Sequence, residues 1–228
     1  FPPPDGNGYY TTELYYRILN AGLRLPPSAG SASGVLPNPV GYNRVYVHVD
    51  GQLTWEKWWA GLKAGRVVVT NGPLLQPQVN GKLPGHVFRA EQGRTVTLNI
   101  WLNLALRDKV DYLEVIQNGE VAHQVRLDRY AAAGGQLPSL TFRESGWMLI
   151  RAVCSTPHTF RFGSTGPYYV EIGGQPRISR AAAEFFQQWV HERATRIRLS
   201  GSQREEVIQF HRAARDFWQQ RVREANAP

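Results

Sequence analysis

Hydrophobic and polar positions follow three different rhythms along this chain. Up to about residue 73, helix and strand periods alternate at short range. ELYYRILNAG has helical spacing, with Thr11 or Thr12 as its cap and Gly22 as its stop. The extended LRLPPSAGS and a Pro/Gly/Asn loop containing the rigid connector LPNPVG lead to about Asn43. RVYVHV then reads as a strand, WEKWWAGLKA as a helix capped by Thr54 and closed by Gly65, and RVVVT as a second strand. This alternation predicts α/β layering. Trp55, Trp58, Trp59 and Leu62 fall on one helix face, which favours core packing over sugar stacking.

From about Leu74 to Gly174 the period shortens to two. In TVTLNIWLN, Val96, Leu98, Ile100 and Leu102 alternate with Thr95, Thr97, Asn99 and Trp101, so the strand buries one face and Trp101 lies on the other. DYLEVIQNGEVAHQVRL reads as a hairpin, because Asn118-Gly119 suits a two-residue turn that needs positive φ at both positions. GWMLIRAVCS, TFRFGS and PYYVEIGG supply further strands, and many short strands separated by turns predict an immunoglobulin-like sandwich. The last rhythm is helical again. Ser179 caps a helix with Phe185, Phe186, Trp189 and Ile197 along one side, and Ser202 with Glu205 forms a capping box. A second helix follows, with Val207, Phe210, Ala214 and Phe217 as its apolar face. The predicted division is 1–73, 74–174 and 175–228, the last a helical hairpin.

Composition adds limits. The chain has 228 residues, 42% hydrophobic and 19% charged, which suits a folded core. No apolar run approaches the roughly 18 to 20 residues needed to cross a bilayer. The first residue is Phe1 and a Pro/Gly-rich lead follows, which suggests a fragment or a processed form. The net charge of +8 raises the question of an anionic partner, but the arginines concentrate near the C-terminus among interleaved acids, the pattern of a solvated helix face. Charge without an aromatic-basic motif makes no case for nucleic acid.

Candidate chemistry is sparse. The single cysteine, Cys154, lies in an apolar run and reads as a buried structural thiol; it excludes an internal disulfide and any cysteine metal cluster. The six histidines are scattered, with neither an HxH pair nor an H-E-x-x-H motif. GSASG is not a nucleophile elbow, because its glycines centre on Ala32. Leu14 to Val49 contains no Asp or Glu, and His48 is its only histidine, so the segment offers a divalent cation few strong donors.

One resemblance organises the first two zones. YYRILNAGLRLPPSAGSASGVLPNPVGYNRVYVHVDG, LTWEKWWAGLKAGRVVVTNGPLL and VNGKLPG resemble the C-terminal part of the CehA/McbA-type metallohydrolases of the PHP superfamily, most specifically at GRVVVTNGPLL. The resemblance covers roughly residues 9 to 175. It implies terminal elements of a distorted β/α barrel followed by a β-sandwich. It also implies a bacterial protein, a periplasmic or extracellular setting, and a divalent metal in full-length members. In that family a turn G-[ST]-D-[AS]-H contributes an Asp and a His to the metal cluster. Here Gly30, Ser31 and Ser33 match, while Ala32 stands in place of the Asp and Gly34 in place of the His.

The expected protein is therefore a barrel fragment, sandwich and helical hairpin, metallohydrolase-like but inactive as this chain, with no cofactor of its own and a missing N-terminal barrel half as its partner. Its pocket would take a small polar ligand near Ser31, Ser33, Asn38, Asn43, Thr70 and Asn71. Two alternatives stand beside it. The full-length protein would be an active ester, amide or phosphoester hydrolase using ligands from elsewhere. Or the sandwich would bind carbohydrate or protein through Trp101, Trp147, Tyr130, Tyr168 and Tyr169.

Overall fold

Eleven strands and five helices are formed among the described residues, and the strands pair into two sheets. A computed structural model describes residues 8–35, 38–156, 160–196, 198 and 202–228, with backbone alone for 8–10 and 202. The small sheet holds β3 (Leu74–Val79), β5 (Val96–Ala105) and β8 (Gln136–Phe142), with β5 central and both neighbours antiparallel to it. The large sheet runs from β7 (Glu120–Arg126) through β6 (Val110–Gln117) to β9 (Gly146–Cys154). There it forks. The C-terminal half of β9 pairs with β10 (Arg161–Thr165), followed by β2 (Val67–Thr70) and β1 (Arg44–Val47). Its N-terminal half pairs with β11 (Tyr168–Ile172), which runs parallel to β4 (Val87–Ala90).

The two sheets close on a shared core. Leu75, Leu98, Ile100, Leu102 and Phe142 of the small sheet meet Val68, Leu113, Val115, Met148, Ile150 and Tyr168 of the large one. The many short strands form a β-sandwich, and β5 buries one face as its alternation predicted: Leu98, Ile100 and Leu102 are buried and the residues between them are exposed. The Asn118-Gly119 turn has φ of +53° and +96°, as its two-residue connection requires. Cys154 is buried in this core, and burial raises its thiol pKa above the usual value.

The segment 1–73 enters the sandwich. β2 pairs with β10, Gly163 opposite Thr70, so one sheet runs across the expected boundary between 73 and 74. β1 and β2 are antiparallel, Arg44 opposite Thr70 and Val47 opposite Val67, whereas neighbouring strands of a β/α barrel are parallel. The helix between them, α2 (Trp55–Lys63), is capped by Thr54, whose hydroxyl accepts the Lys57 N–H, and is followed by Gly65 at φ +74°. Its tryptophans do not pack as the spacing suggested, and Trp55 is 71% exposed. The helix meets β1 through Gly61 instead, where an added Cβ would lie 2.6 Å from a Val47 methyl. Close approach through a small residue turns the bulky face outward.

α1 (Gly8–Asn20) starts before the predicted threonine caps and ends at Gly22, φ +79°. Tyr16 and Leu19 lie on Ile116, Trp147 and Leu149, covering the outer side of the large sheet. α3 (Leu127–Ala132) bridges β7 and β8. α4 (Arg180–Arg196), capped by Ser179 through the Ala182 N–H, and α5 (Ser202–Glu224) form the predicted hairpin. Its contact differs from the sequence reading: Trp218 stacks on Phe186 with ring centroids 4.7 Å apart, while Phe217 and Phe210 are exposed. Ile197 lies outside the described residues, and so does the Ser202 side chain that the capping box needs.

Candidate functional site

The turn that carries the family resemblance is held by its own backbone. Ser31 is buried; its hydroxyl accepts the Asn43 N–H at 2.9 Å and donates to the Asn43 carbonyl at 3.2 Å. Asn38 donates to the Ser31 carbonyl at 3.1 Å, and Asn43 to the Gly30 carbonyl at 3.4 Å. Ala32 at φ +49° and Gly34 at φ +89° turn the chain, and both are exposed with Ser33 beside them. Left-handed backbone suits a glycine and is strained for an alanine.

Thr70 and Asn71 form a second cluster at the same end of the sheet, since Arg44, next to Asn43, is paired with Thr70. The Thr70 hydroxyl donates to the Pro73 carbonyl at 2.7 Å and accepts the Gly72 N–H at 2.9 Å, closing the turn into β3. The Asn71 amide donates to the Phe160 carbonyl and accepts the Phe162 N–H, both at 2.9 Å, which extends the β2–β10 ladder by a side chain. Five of the six expected ligand-binding residues, all but Ser33, thus spend their polar groups on loop and strand backbone. These bonds tie Ser31, Asn38 and Asn43 into one turn and fasten Thr70 and Asn71 to the end of β10.

Three residues that the sequence reading missed complete this end of the sandwich. Arg161 donates to Asp108 at 2.6 Å and lies 5.8 Å from the Tyr42 ring centroid. The bond from Asp108 raises the Arg161 pKa above its ordinary value. Separated by tens of residues and belonging to no local motif, this cluster left no signal in the sequence.

A divalent cation does not fit the turn. The two positions that the resemblance assigns to ligands present a methyl group and a hydrogen, and the Ser31 oxygen is engaged by Asn43. Among the described residues no group of three or more His, Cys, Asp and Glu side chains is arranged to hold a metal. No helix among them is long and apolar enough to cross a membrane.

Comparison with known proteins adds little to this geometry. No protein-family model and no curated protein matches the chain. A solved structure of fibronectin(III)-like modules of CbhA from Clostridium thermocellum aligns with 42% of this chain and 98% of that one, at 9% identity and a TM-score of 0.27. A score that low carries no inference, and the sandwich stands on its strand pairing.

The proposed aromatic platform is split by the fold. Trp147 is 2% exposed; its indole N–H donates to Asn20 at 2.8 Å and its ring lies 5.2 Å from that of Tyr16. Tyr168 is buried in the core, and the Tyr130 hydroxyl is bonded to the Leu102 carbonyl. Tyr169 is half-buried beneath the Arg24 guanidinium. Trp101 stands apart, 52% exposed on the outer face of the small sheet, the sheet opposite Trp147.

Proposed function

We propose that this chain is the C-terminal portion of a PHP-superfamily protein related to the CehA/McbA-type metallohydrolases, with its share of the metal site stripped of ligands. In this reading the portion has a structural role and does not itself perform hydrolysis.

One observation carries the reading: apolar exposure is concentrated in the part that resembles the end of the barrel. Leu25, Val35, Val40, Tyr46, Leu53, Trp55 and Trp59 are all exposed, Val35 at 88% and Val40 at 91%, while the sandwich core next to them is closed. Trp55 and Trp59, exposed with ring centroids 5.5 Å apart, form a contiguous apolar patch of the kind that marks an interaction site. The remaining barrel half is the partner that would cover it. Residues 23–31, between α1 and the turn at 31–34, enter no sheet, and in this reading they would take up barrel pairing only against the partner half. β1 and β2 pair into the large sheet with β1 at its edge, so in this reading the exposed side chains of β1 and α2 meet the barrel partner from that edge.

Elemental analysis of the purified chain tests the missing ligands: metal content well below one ion per chain is expected, and a stoichiometric, tightly held transition metal overturns the reading. Co-expression with the polypeptide encoded upstream tests the covered surface. Residues 53–63 should then gain protection from hydrogen exchange, and unchanged exchange counts against a barrel partner.

A further inference from the structure

The outer face of the small sheet carries an exposed tryptophan among amide side chains. Trp101 sits at its centre, with Gln78 of β3 directly opposite on one side and Gln136 of β8 on the other. Two residues further along β5, Asn103 donates to the Gln76 side chain at 2.9 Å. Two residues back, Asn99 is exposed. Gln78 and Gln136 are exposed and their side chains make no hydrogen bond among the described residues. At the outward positions of β3, β5 and β8 there is no Asp, Glu, Lys or Arg. The helices α1, α4 and α5 lie with the other sheet, so none of them shields this face.

We propose that this face binds an uncharged glycan, with one pyranose ring stacked on Trp101 and its hydroxyls bonded by the surrounding amides. The inference is independent of the barrel relationship.

Chemistry selects the ligand. A pyranose presents an apolar C–H face and a rim of hydroxyls. An exposed indole supplies the flat apolar partner, and carboxamides, which both donate and accept, match hydroxyls in either sense. Strand geometry sets the reach: neighbouring strands place Gln78 and Gln136 about 5 Å to either side of Trp101, and Asn99 and Asn103 lie about 7 Å along the strand, a ring of amides around one sugar unit. The indole is backed by the chain itself, because a Cβ added at Gly135 would sit 3.6 Å from the ring. An anionic polymer finds no cation at the outward positions of these three strands. A predominantly apolar protein partner would bury amides without partners, which is unfavourable.

The test is affinity electrophoresis of the whole chain through gels containing neutral polysaccharides (mixed-linkage β-glucan, xyloglucan, galactomannan, arabinoxylan), with polygalacturonate and heparin as charged controls, followed by an array of neutral oligosaccharides. Retardation by at least one neutral glycan is expected. Trp101→Ala should weaken it at least about tenfold, a loss equivalent to about 1.4 kcal/mol, and Gln78→Ala with Gln136→Ala several-fold, with melting temperatures close to the parent's. Three outcomes overturn the proposal: no retardation by any neutral glycan and no hit on the array, binding that survives Trp101→Ala, or binding confined to the charged polymers. Trp101-dependent capture of a protein in place of a glycan overturns it as well.

Discussion

The two outer faces of the sandwich each carry a tryptophan, and the contrast between them separates stability from recognition. On the large sheet, Trp147 lies beneath α1, and Asn20 ties three elements together there. It accepts the indole N–H and donates to the Asn118 carbonyl at 2.9 Å, while the Asn118 side chain accepts the Trp147 backbone N–H at 2.9 Å. Helix end, hairpin turn and central strand are thereby locked in one network. On the small sheet, Trp101 has no such cover and is surrounded by amides. The same residue type holds the fold together in one place and is left available to a ligand in the other. What differs is whether an element packs over it.

Substitutions sharpen this comparison. The largest effect is expected from Trp147→Ala, which removes a fully buried ring between α1 and β9: a loss of about 3–5 kcal/mol, read as a fall in the midpoint of urea unfolding. Asn20→Ala leaves the indole N–H and the Asn118 carbonyl without their partner, and about 1–3 kcal/mol is expected in the same measurement. The smallest effect belongs to Trp101→Ala, about 0.5 kcal/mol or less, in line with other exposed positions. If Trp101→Ala destabilised as strongly as Trp147→Ala, the division of labour between the faces would be wrong and the open face would be structural.

The legibility of the two tryptophans differed for a physical reason. Trp101 was placed correctly because β5 buries one side only, so alternation assigns each residue to a face. β9 is buried along its whole length, with the core on one side and α1 on part of the other. In such a strand alternation carries no information about exposure; its near-continuous apolar run, WMLI and AVC interrupted by Arg151, was the signal of double burial. Arg151 is itself matched there by Glu114, opposite it on β6 at 2.6 Å. The α2 tryptophans misled for a related reason: helical spacing identified their shared face, but nothing in the spacing says what that face meets. The close contact at Gly61 decided that it points outward.

The 30–34 turn shows the same division. Replacement of the expected ligands by Ala32 and Gly34 could be read directly from the letters, since side-chain chemistry alone determines that a methyl group and a hydrogen cannot coordinate a cation. The engagement of Thr70 and Asn71 with Phe160 and Phe162 could not, because the pairing of β2 with β10 sets those partners across as many as 92 residues. The sequence by itself determined local matters: where helices and strands form, which turn requires positive φ, and which atoms are available for chemistry. Only the tertiary structure decided which faces are covered, that β1 and β2 join the sandwich, and that Asp108 and Arg161 meet. Those outcomes depend on contacts between distant segments, and local periodicity carries no record of them.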